Sequence, residues 1–595
     1  MKYMLTKSRL VLLVSLLFSS AAIAQFTASG SVKDANGEPL IGATVLVKGT
    51  ATGTITDIDG TFELTVPGES ATLLVSYTGF SEREIEVSKA SPRTDVTLAD
   101  EATQLDEVVV TGLATTIKRT NLANSVEQVS ARELTGITTQ QTMDGALYGK
   151  FKGANISANS GAPGGGVTVK LRGITTFNGN SQPLYIVDGV YYDNSAFRLG
   201  LDFVSASQAG GSQTNQDNPT SRVADLDPED IETIEILKGA SAAAIYGSRA
   251  ASGVVIITTK RGAAGRTTVT LSQSVGANML LKSLGQRDWD ATKVATHFGQ
   301  AEVANFNAGT IHDYEEEIYG NTGLVLTSRV EFSGGSDKTK YFAGFTRKDE
   351  EGIVKNTGYD KNSFRLNLDQ QLSKWLSASL SSNYIESDAD RGYFNNDNTS
   401  TTVGISYVST PPWAELFADE NGNFPNNPYA PSNFLQTASL VTNRESVRRF
   451  VGGGLVSASL IQQDNQSLKL HLRGGVDYYN FTNKAIFPRE LQFQKEGNGT
   501  DGVSIYGTAE ARNNNTSAFL VHSFFTGSGL NFRTQLGVTQ EKVNINFAQT
   551  IASFLVAGQT NIDQASARQT EHRRESSTDR GFFAPFAAPL WKPIS

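Results

Sequence analysis

The sequence predicts a mainly β protein in three parts: a small N-terminal β-sandwich, a mixed α/β domain, and a long array of amphipathic antiparallel strands. Turn dipeptides such as Asn36-Gly37 and Asp59-Gly60 separate short runs in which apolar and polar residues alternate. The 56 glycines, 31 phenylalanines and 18 tyrosines are typical of turn-rich β-structure with aromatic girdles. Alternation continues over longer strands from Arg266 onward, and 595 residues are too many for one domain.

The first residues predict an export signal. Lys2, Lys7 and Arg9 precede an apolar run, Leu10–Phe18, and a small-x-small cleavage site ends at Ala24. The alternative is a membrane anchor, but the apolar run is shorter than the roughly 20 residues that a spanning helix needs. We therefore expect a signal peptide at residues 1–24, cleaved after Ala24.

Composition excludes several functions. A net charge of −9 without clustered Lys and Arg argues against nucleic acid as a partner. The chain has no cysteine, which excludes disulfides, thiolate catalysis and thiolate metal sites. The five histidines lack the i,i+4 pairing of a zinc-protease helix, and no G-x-S-x-G elbow occurs. We expect no enzyme activity, no catalytic residue, no cofactor and no metal site.

The segment 26–99 predicts a small antiparallel sandwich. Phe62, Leu64 and Val66 alternate with polar residues, as in a strand with one buried face. Asp57-x-Asp59-Gly60 is either a turn or a calcium-loop fragment, and the missing later ligands favour the turn. With Gly37–Ala43 and Gly53–Phe62, this segment resembles the carboxypeptidase-regulatory-like domain.

An acidic pair and three valines follow in residues 105–112. Such a run predicts a short extended segment at the edge of a sheet. It could pair with a strand of another chain by strand addition, but an ordinary edge strand without a partner has the same pattern. The residues are Asp106, Glu107, Val108, Val109, Val110 and Thr111.

The mixed α/β domain is predicted at residues 116–262. Its glycine cluster, Gly149–Gly166, lacks the Lys-Ser/Thr ending of a phosphate loop and precedes a strand, Val167–Leu171, so tight loops are expected. Pro183–Val190 predicts a buried strand that ends in an Asp188-Gly189 hairpin turn. Arg172 either pairs with Asp188, or each is separately solvated.

The end of this domain predicts helix and strand in alternation. Pro228-Glu229-Asp230 has the proline and acidic residues of a helix start. Ile234–Leu237 and Val254–Thr258 are expected to be strands, with a small-residue helix, Ser241–Tyr246, between them.

Four blocks of this domain carry a family resemblance: Gly149–Gly166, Leu171–Gly173, Pro183–Val190 and Leu226–Gly262. They resemble the plug domain of TonB-dependent outer-membrane transporters, most closely the SusC/RagA branch, which has the same order of sandwich, box and plug. The resemblance implies that Asp106–Thr111 is the TonB box. It also implies a plug motif that includes Arg172, Gly173, Asp188 and Gly189. One departure is Gly112-Leu113-Ala114, where the branch usually has Gly-aromatic-Gly.

Residues 266–595 predict part of a transmembrane antiparallel β-barrel. Phe364, Leu366 and Leu368 alternate with polar residues, which fits either a soluble sandwich or a barrel wall. Tight turns at Ser333–Lys338, followed by a long loop at Arg391–Val447, favour the barrel. Family barrels have about 22 strands, and about half of these can be traced before Ser595. The prolines in the final residues argue against a closing strand, and an open barrel is not viable in lipid, so we expect a truncated chain.

The resemblance implies TonB-dependent active import of a nutrient, an oligosaccharide or a peptide, across the outer membrane. It implies as partners TonB with its inner-membrane energising complex, a SusD-like surface lipoprotein and outer-membrane lipid. A secreted β-rich adhesin or scaffold is the alternative and predicts a soluble product. A receptor that also signals, and a nonfunctional truncated transporter, are further alternatives.

Overall fold

The computed structural model describes residues 25–583 and 586–587, apart from internal gaps. The gaps are residues 35–36, 38, 41, 51, 78–81, 99–107, 111–115, 119–125, 136–145, 159–160, 174–180, 196, 198, 207–221, 239–245, 395–396, 497–499, 527–530 and 584–585. The predicted signal peptide, Asp106, Glu107 and Thr111 therefore lie outside the described residues.

The N-terminal unit is a sandwich of two sheets, ordered β4-β1-β7 and β3-β2-β5-β6. Its strands are β1 (Gln25–Lys33), β2 (Thr44–Val47), β3 (Gly53–Ile55), β4 (Thr61–Pro67), β5 (Ser70–Ser76), β6 (Arg83–Ser88) and β7 (Arg93–Thr97). The two sheets enclose one apolar core, to which β4 contributes Phe62, Leu64 and Val66 as the alternation predicts. The expected all-antiparallel arrangement is wrong at one pair, because β7 returns from the other sheet and runs parallel to β1.

The Asp57 loop of this unit is a turn stabilised by its own side chain. Asp57 Oδ1 accepts hydrogen bonds from the backbone N–H groups of Asp59 (3.0 Å) and Thr61 (2.8 Å). The Thr61 hydroxyl bonds to Asp57 Oδ2 and is the main cause of a lowered Asp57 pKa. The loop therefore has the hydrogen bonding of an Asx turn, as predicted.

Two short strands follow, β8 (Val108–Val110) and β9 (Thr116–Lys118), and they pair in a two-stranded sheet. The strand predicted from the three valines is therefore confirmed. Among the residues that the structure describes, each of these two strands pairs only with the other.

The α/β domain is built on a five-stranded sheet in the order β10-β15-β16-β13-β14 and a separate β11-β12 pair. The strands are β10 (Val126–Ser130), β11 (Ala154–Ala158), β12 (Val167–Leu171), β13 (Leu184–Val187), β14 (Val190–Tyr192), β15 (Ile231–Leu237) and β16 (Val254–Thr259). Its helices are Ala131–Thr135 and Asp202–Ser205, with 3₁₀ turns at Arg222–Asp225, Pro228–Asp230 and Ser248–Ala250. The predicted strands and the Asp188-Gly189 hairpin are confirmed. Most of the predicted helix Ser241–Tyr246 lies outside the described residues.

A helix does start at Pro228, with Asp227 as its N-cap, but it is a 3₁₀ helix of only three residues. A single 3₁₀ turn, Pro228–Asp230, is followed at once by β15. Ile231, Ile234 and Ile236 are β-branched and buried in the sheet core, so strand pairing prevails over the local helix-start signal.

Ten consecutive antiparallel strands form the C-terminal array. They are β17 (Gly265–Asn278), β18 (Gly323–Gly335), β19 (Thr339–Glu351), β20 (Gly358–Gln371), β21 (Leu376–Asp390), β22 (Thr442–Gln462), β23 (Gln466–Phe487), β24 (Val503–Phe525), β25 (Asn531–Leu555) and β26 (Ala565–Phe583). A two-residue strand, β27 (Phe586–Ala587), pairs with β25.

Tight turns alternate with long loops along this array. Residues 336–338, 372–375 and 463–465 connect strands at one end, and residues 279–322, 391–441 and 488–502 at the other. The loop expected to extend to Val447 ends earlier, because β22 begins at Thr442. The long loops contain the helices Ala291–Phe298, Glu302–Ala308, Tyr314–Tyr319, Val403–Val408, Phe434–Leu440 and Gln492–Glu496. Across the described residues, every helix is too short or too polar to cross a membrane.

The array buries its polar face and exposes its apolar face. On β20, Arg365 is 2% exposed and Asn367 is 1% exposed, whereas Phe364 is 48% exposed. A soluble sandwich would bury the phenylalanine, but a barrel wall turns apolar residues towards lipid and polar residues towards the lumen. Burial thus resolves the two readings that periodicity left open, in favour of a partial β-barrel.

An aromatic row crosses the outer face of five neighbouring strands. Phe345, Phe364, Tyr384, Phe450 and Tyr478 lie directly opposite one another in successive strand pairs. The next outward-facing row, towards the long loops, is polar: Arg347, Asn362, Glu386, Arg448 and Asn480. Such a change from aromatic to charged residues is typical of a membrane–water interface.

Candidate functional site

The α/β domain packs against the inner, polar face of the strand array, and this interface is the candidate functional site. Its first part, the polar seat, is formed by three aspartates of the α/β domain and three side chains of β18 and β20. The aspartates are Asp188, Asp227 and Asp230, and the array contributes Arg329, Arg365 and Asn367.

The 3₁₀ turn Pro228–Asp230 positions two of these carboxylates. Asp227 caps the turn by accepting a 3.0 Å hydrogen bond from Glu229 N. Arg329 Nη1 lies 3.2 Å from Asp227 Oδ2, and Arg329 Nη2 lies 2.5 Å from Asp230 Oδ1. Arg365 Nε donates to Asp230 Oδ2 at 2.7 Å. One turn thus presents two carboxylates to two arginines from different strands.

Asp227 carries a negative charge in this seat. Burial alone raises the pKa of its carboxyl, but the charges of Lys361 and Arg329 outweigh burial, so that the pKa is lowered. A buried charge of this kind depends on its partners, since removing one of them leaves the other desolvated and unpaired.

Asp188 and Gly189 form the tip of the β13–β14 hairpin, with φ values of 49° and 84°. Asp188 accepts hydrogen bonds from Thr259 N (3.1 Å) and Thr259 Oγ1 (2.6 Å). Its carboxylate also lies 4.0 Å from Arg261 Nη2 and 3.8 Å from Arg365 Nη1. A Cβ atom at position 189 would lie 2.6 Å from the guanidinium of Arg473, so the arginine would have to shift, and the positive φ itself favours glycine.

Arg172 and Gly173 lie away from this seat and are exposed. Both have positive φ, 60° and 95°, as part of the turn that follows β12. The ion pairs of Asp188 are with Arg261 and Arg365, so the alternative in which Arg172 and Asp188 form a buried pair is not observed.

The second part of the interface is a buried arginine that sequence reasoning missed. Arg449 on β22 is fully buried and bonds to Asp477 on β23 through Nε (2.8 Å) and Nη2 (2.6 Å). Its Nη2 also donates to the backbone carbonyl of Asp193 at 2.7 Å, and its guanidinium lies 3.5 Å from the ring centre of Tyr192. The arginine thereby links two barrel strands to the α/β domain.

A sequence signal for Arg449 does exist. It occupies an inward position of β22, next to outward Phe450, so alternation alone places a charge in the lumen. Its partners were not predictable, because they come from another strand and another domain.

The third part of the interface is apolar. Phe197 stacks on Phe547 of β25, with ring centres 5.8 Å apart and an interplanar angle of 6°. Leu199, Leu201 and Val204 are buried in the same cluster against the inner face of β22–β25. We call these four residues of the α/β domain the apolar anchor.

A cavity of about 150 Å³ remains beside the polar seat, between the α/β domain and β17–β20. Its walls include Asp227 and Glu229 from the domain, and Lys348 and Lys361 from the array. The interface is therefore incompletely packed on the side where its contacts are polar.

Among the described residues, no group of three or more His, Asp or Glu side chains is arranged to hold a metal ion.

Comparison with known proteins gives two family matches. Residues 28–110 match the CarboxypepD_reg-like domain, and residues 118–254 match the TonB-dependent Receptor Plug Domain. The TonB-dependent receptor SusC of Bacteroides thetaiotaomicron is 30% identical over 510 residues, covering 81% of this chain and 47% of that protein. The TonB-dependent receptor P3 of Formosa agariphila is 33% identical over 377 residues, covering 63% of this chain and 34% of that protein.

Among solved structures, the RagAB peptide importer in its open-open state aligns with a TM-score of 0.58 and 19% identity. That alignment covers 80% of this chain and 54% of the other, and it supports the fold. This chain spans about half the length, or less, of the curated relatives that it matches.

Proposed function

Because this chain belongs to the SusC/RagA-type TonB-dependent receptors, we propose that it acts in TonB-dependent import of a nutrient, an oligosaccharide or a peptide, across the outer membrane. The observation that carries the proposal is a domain seated on the polar inner face of a strand array whose outer face is apolar. A domain in that position obstructs the lumen and has to move before a solute passes. We propose no catalytic role.

Strand β8 supplies the point of attachment for TonB in this proposal. We assign the TonB box to Asp106, Glu107, Val108, Val109, Val110 and Thr111. The backbone of Val108–Val110 is extended and paired with β9, which supports its use as one strand of a sheet. TonB would add as a further strand, held mainly by backbone hydrogen bonds, and transmit force from its inner-membrane complex.

The proposal includes the environment and partners that the family suggests. Outer-membrane lipid would contact the exposed apolar face, with the aromatic row at the interface. A SusD-like surface lipoprotein would meet the long loops, and export would use a signal peptide cleaved after Ala24. A secreted soluble adhesin is disfavoured, because side chains such as Phe364 and Leu472 are about half exposed on a continuous wall.

The substitution Val109→Pro tests the attachment point. Proline removes the backbone N–H that a strand partner needs, so energised uptake should be lost while the protein still reaches the outer membrane. Val109→Thr is the matched control, because it keeps both the N–H group and a β-branched side chain. Uptake would be measured in energised and de-energised cells that express equal amounts of each protein. Normal energised uptake by the proline variant would refute the assigned box.

A further inference from the structure

The free energy of separating the α/β domain from the strand array differs between the two sides of the interface. The polar seat on β18–β20 is made of ion pairs and hydrogen bonds, which water can replace with a small net change. The β22–β25 side has polar contacts too, from Arg449 and Asp477 to Asp193, but it also contains the apolar anchor, whose buried aromatic and aliphatic surface costs about 25 cal/mol per Å² to expose. The existing cavity also lies on the polar side. A movement of the domain therefore opens first along β18–β20.

The wall uncovered by such a movement is basic. Its inward-facing charged side chains are five basic and three acidic residues, a net charge of plus two. They are Arg329, Lys340, Lys348, Lys361 and Arg365 against Glu331, Glu350 and Asp369.

The acidic residues of the wall already have partners. Glu331 lies 2.5 Å from Arg329, and Glu350 lies 2.8 Å from Lys348. Asp369 pairs with Arg261 at 2.5 Å, and Arg261 lies in the connector between β16 and β17. Because each wall carboxylate is neutralised by its own cation, the excess positive charge of the wall lies on the remaining basic side chains.

Three of the five wall cations, Lys340, Lys361 and Arg365, make no ion pair with these wall carboxylates, and Lys361 and Arg365 face aspartates of the α/β domain. Arg365 meets the carboxylates of Asp230 and Asp188, and Lys361 lies in the cavity beside Asp227. All three aspartates belong to the α/β domain and leave with it. When the domain withdraws, solvent or substrate therefore replaces these three carboxylates at Lys361, Arg365 and Arg329, and Arg329 alone of the three cations keeps a wall carboxylate, Glu331.

We propose that β18–β20 form a cation-lined transport path that selects anionic substrates, with carboxylate or sulfate groups replacing the aspartates of the domain. This inference rests on the proposed import function and names the substrate class. The shared chemistry is a repeating anionic group, which either an acidic oligosaccharide or an acidic peptide supplies. Positive charge along the wall of a path raises the local concentration of such a solute.

The test compares energised uptake of four probes of equal length: a neutral oligosaccharide, a uronic-acid oligosaccharide, a neutral peptide and a glutamate-rich peptide. In the unmodified protein, uptake of one acidic probe should exceed that of its neutral counterpart. The acidic probe that is transported identifies the source of the anion. Lys361→Gln should lower this acidic-to-neutral ratio by roughly threefold to tenfold.

The matched control is Arg347→Gln, which removes the same charge from the outer face of the neighbouring strand and should leave the ratio unchanged. If Lys361→Gln fails to assemble in the membrane, Lys348→Gln tests the same wall. Equal uptake of acidic and neutral probes, or a ratio that Lys361→Gln and Lys348→Gln do not alter, would overturn the anionic path but leave import intact. The absence of energised uptake of every probe would overturn both proposals.

Discussion

Arg449 and Asp477 form a diagonal cross-strand pair in which two hydrogen bonds, 2.8 Å and 2.6 Å long, join side chains without exposed surface. Arg449 lies directly opposite Tyr479, and Asp477 lies opposite Val451. The two residues of the ion pair are therefore offset by two positions along the paired strands β22 and β23. Asp477 also accepts a 2.7 Å hydrogen bond from Asp193 N of the α/β domain. One carboxylate therefore fixes both the barrel arginine and the domain backbone.

The substitution Asp477→Asn should loosen the α/β domain. It keeps the shape of the side chain but removes the charge opposite a buried guanidinium, and breaking such a pair costs about 3–5 kcal/mol. Resistance of the domain to limited proteolysis in detergent-solubilised protein would report the loss. Asn480→Asp, on the outward face of the same strand, provides a control that should change little. Unchanged protection in Asp477→Asn would contradict the role assigned to the pair.

Gly189→Ala should destabilise the protein more than Gly173→Ala. Both glycines have positive φ, so both alanines carry the backbone strain, about 1 kcal/mol. A Cβ atom at position 189 would also lie 2.6 Å from Arg473, whereas one at position 173 would have no atom of the described residues within 4 Å. Urea titration of each variant measures the difference. Equal losses of stability would show that the contact with Arg473 does not constrain the hairpin.

A lysine introduced on the outer face of the array should be tolerated on one side of the aromatic row and not on the other. Leu366 faces outward below the aromatic row, and Asn362 faces outward above it. Lysine near the middle of a bilayer costs about 2–4 kcal/mol, and near the interface about 0–1 kcal/mol. Leu366→Lys should therefore reduce the yield of folded protein in lipid vesicles far more than Asn362→Lys. Equal yields would mean that the aromatic row does not mark the membrane boundary.

Local alternation was sufficient to predict the strands of the array, because strand periodicity is written in consecutive residues such as Phe364 and Arg365. It did not decide which face is buried. The parallel β1–β7 pair joins Ser31 to Asp95, which lie far apart in sequence and in different strands. A local pattern cannot specify such a pairing.

The candidate site was predictable only in part. The Asp188-Gly189 hairpin follows from a turn dipeptide, and the charged inward positions follow from alternation. Which charges meet depends on how the domain seats in the array. The pairing of Arg329 and Arg365 with Asp230 crosses from one domain to another, and no residue near any of the three indicates it.

Acidification should release a segment of the first long loop. The Glu315 carboxylate accepts hydrogen bonds from Leu284 N (2.8 Å), Ser283 Oγ (2.7 Å) and Gly285 N (2.9 Å), and these bonds lower the pKa of Glu315. Because the folded-state pKa is lowered, the stabilisation is fully present above the ordinary glutamate pKa of about 4.3 and is lost as the pH falls through the lowered value. Hydrogen exchange of the Leu284 and Gly285 amides, corrected for intrinsic rates, should therefore accelerate in that acidic window. In the Glu315→Gln variant, these two amides should exchange faster at neutral pH and show no acid transition. Glu316 is exposed on the same helix, so Glu316→Gln should behave like the unmodified protein. If the acid transition persists in the Glu315→Gln variant, the transition belongs to another titrating group.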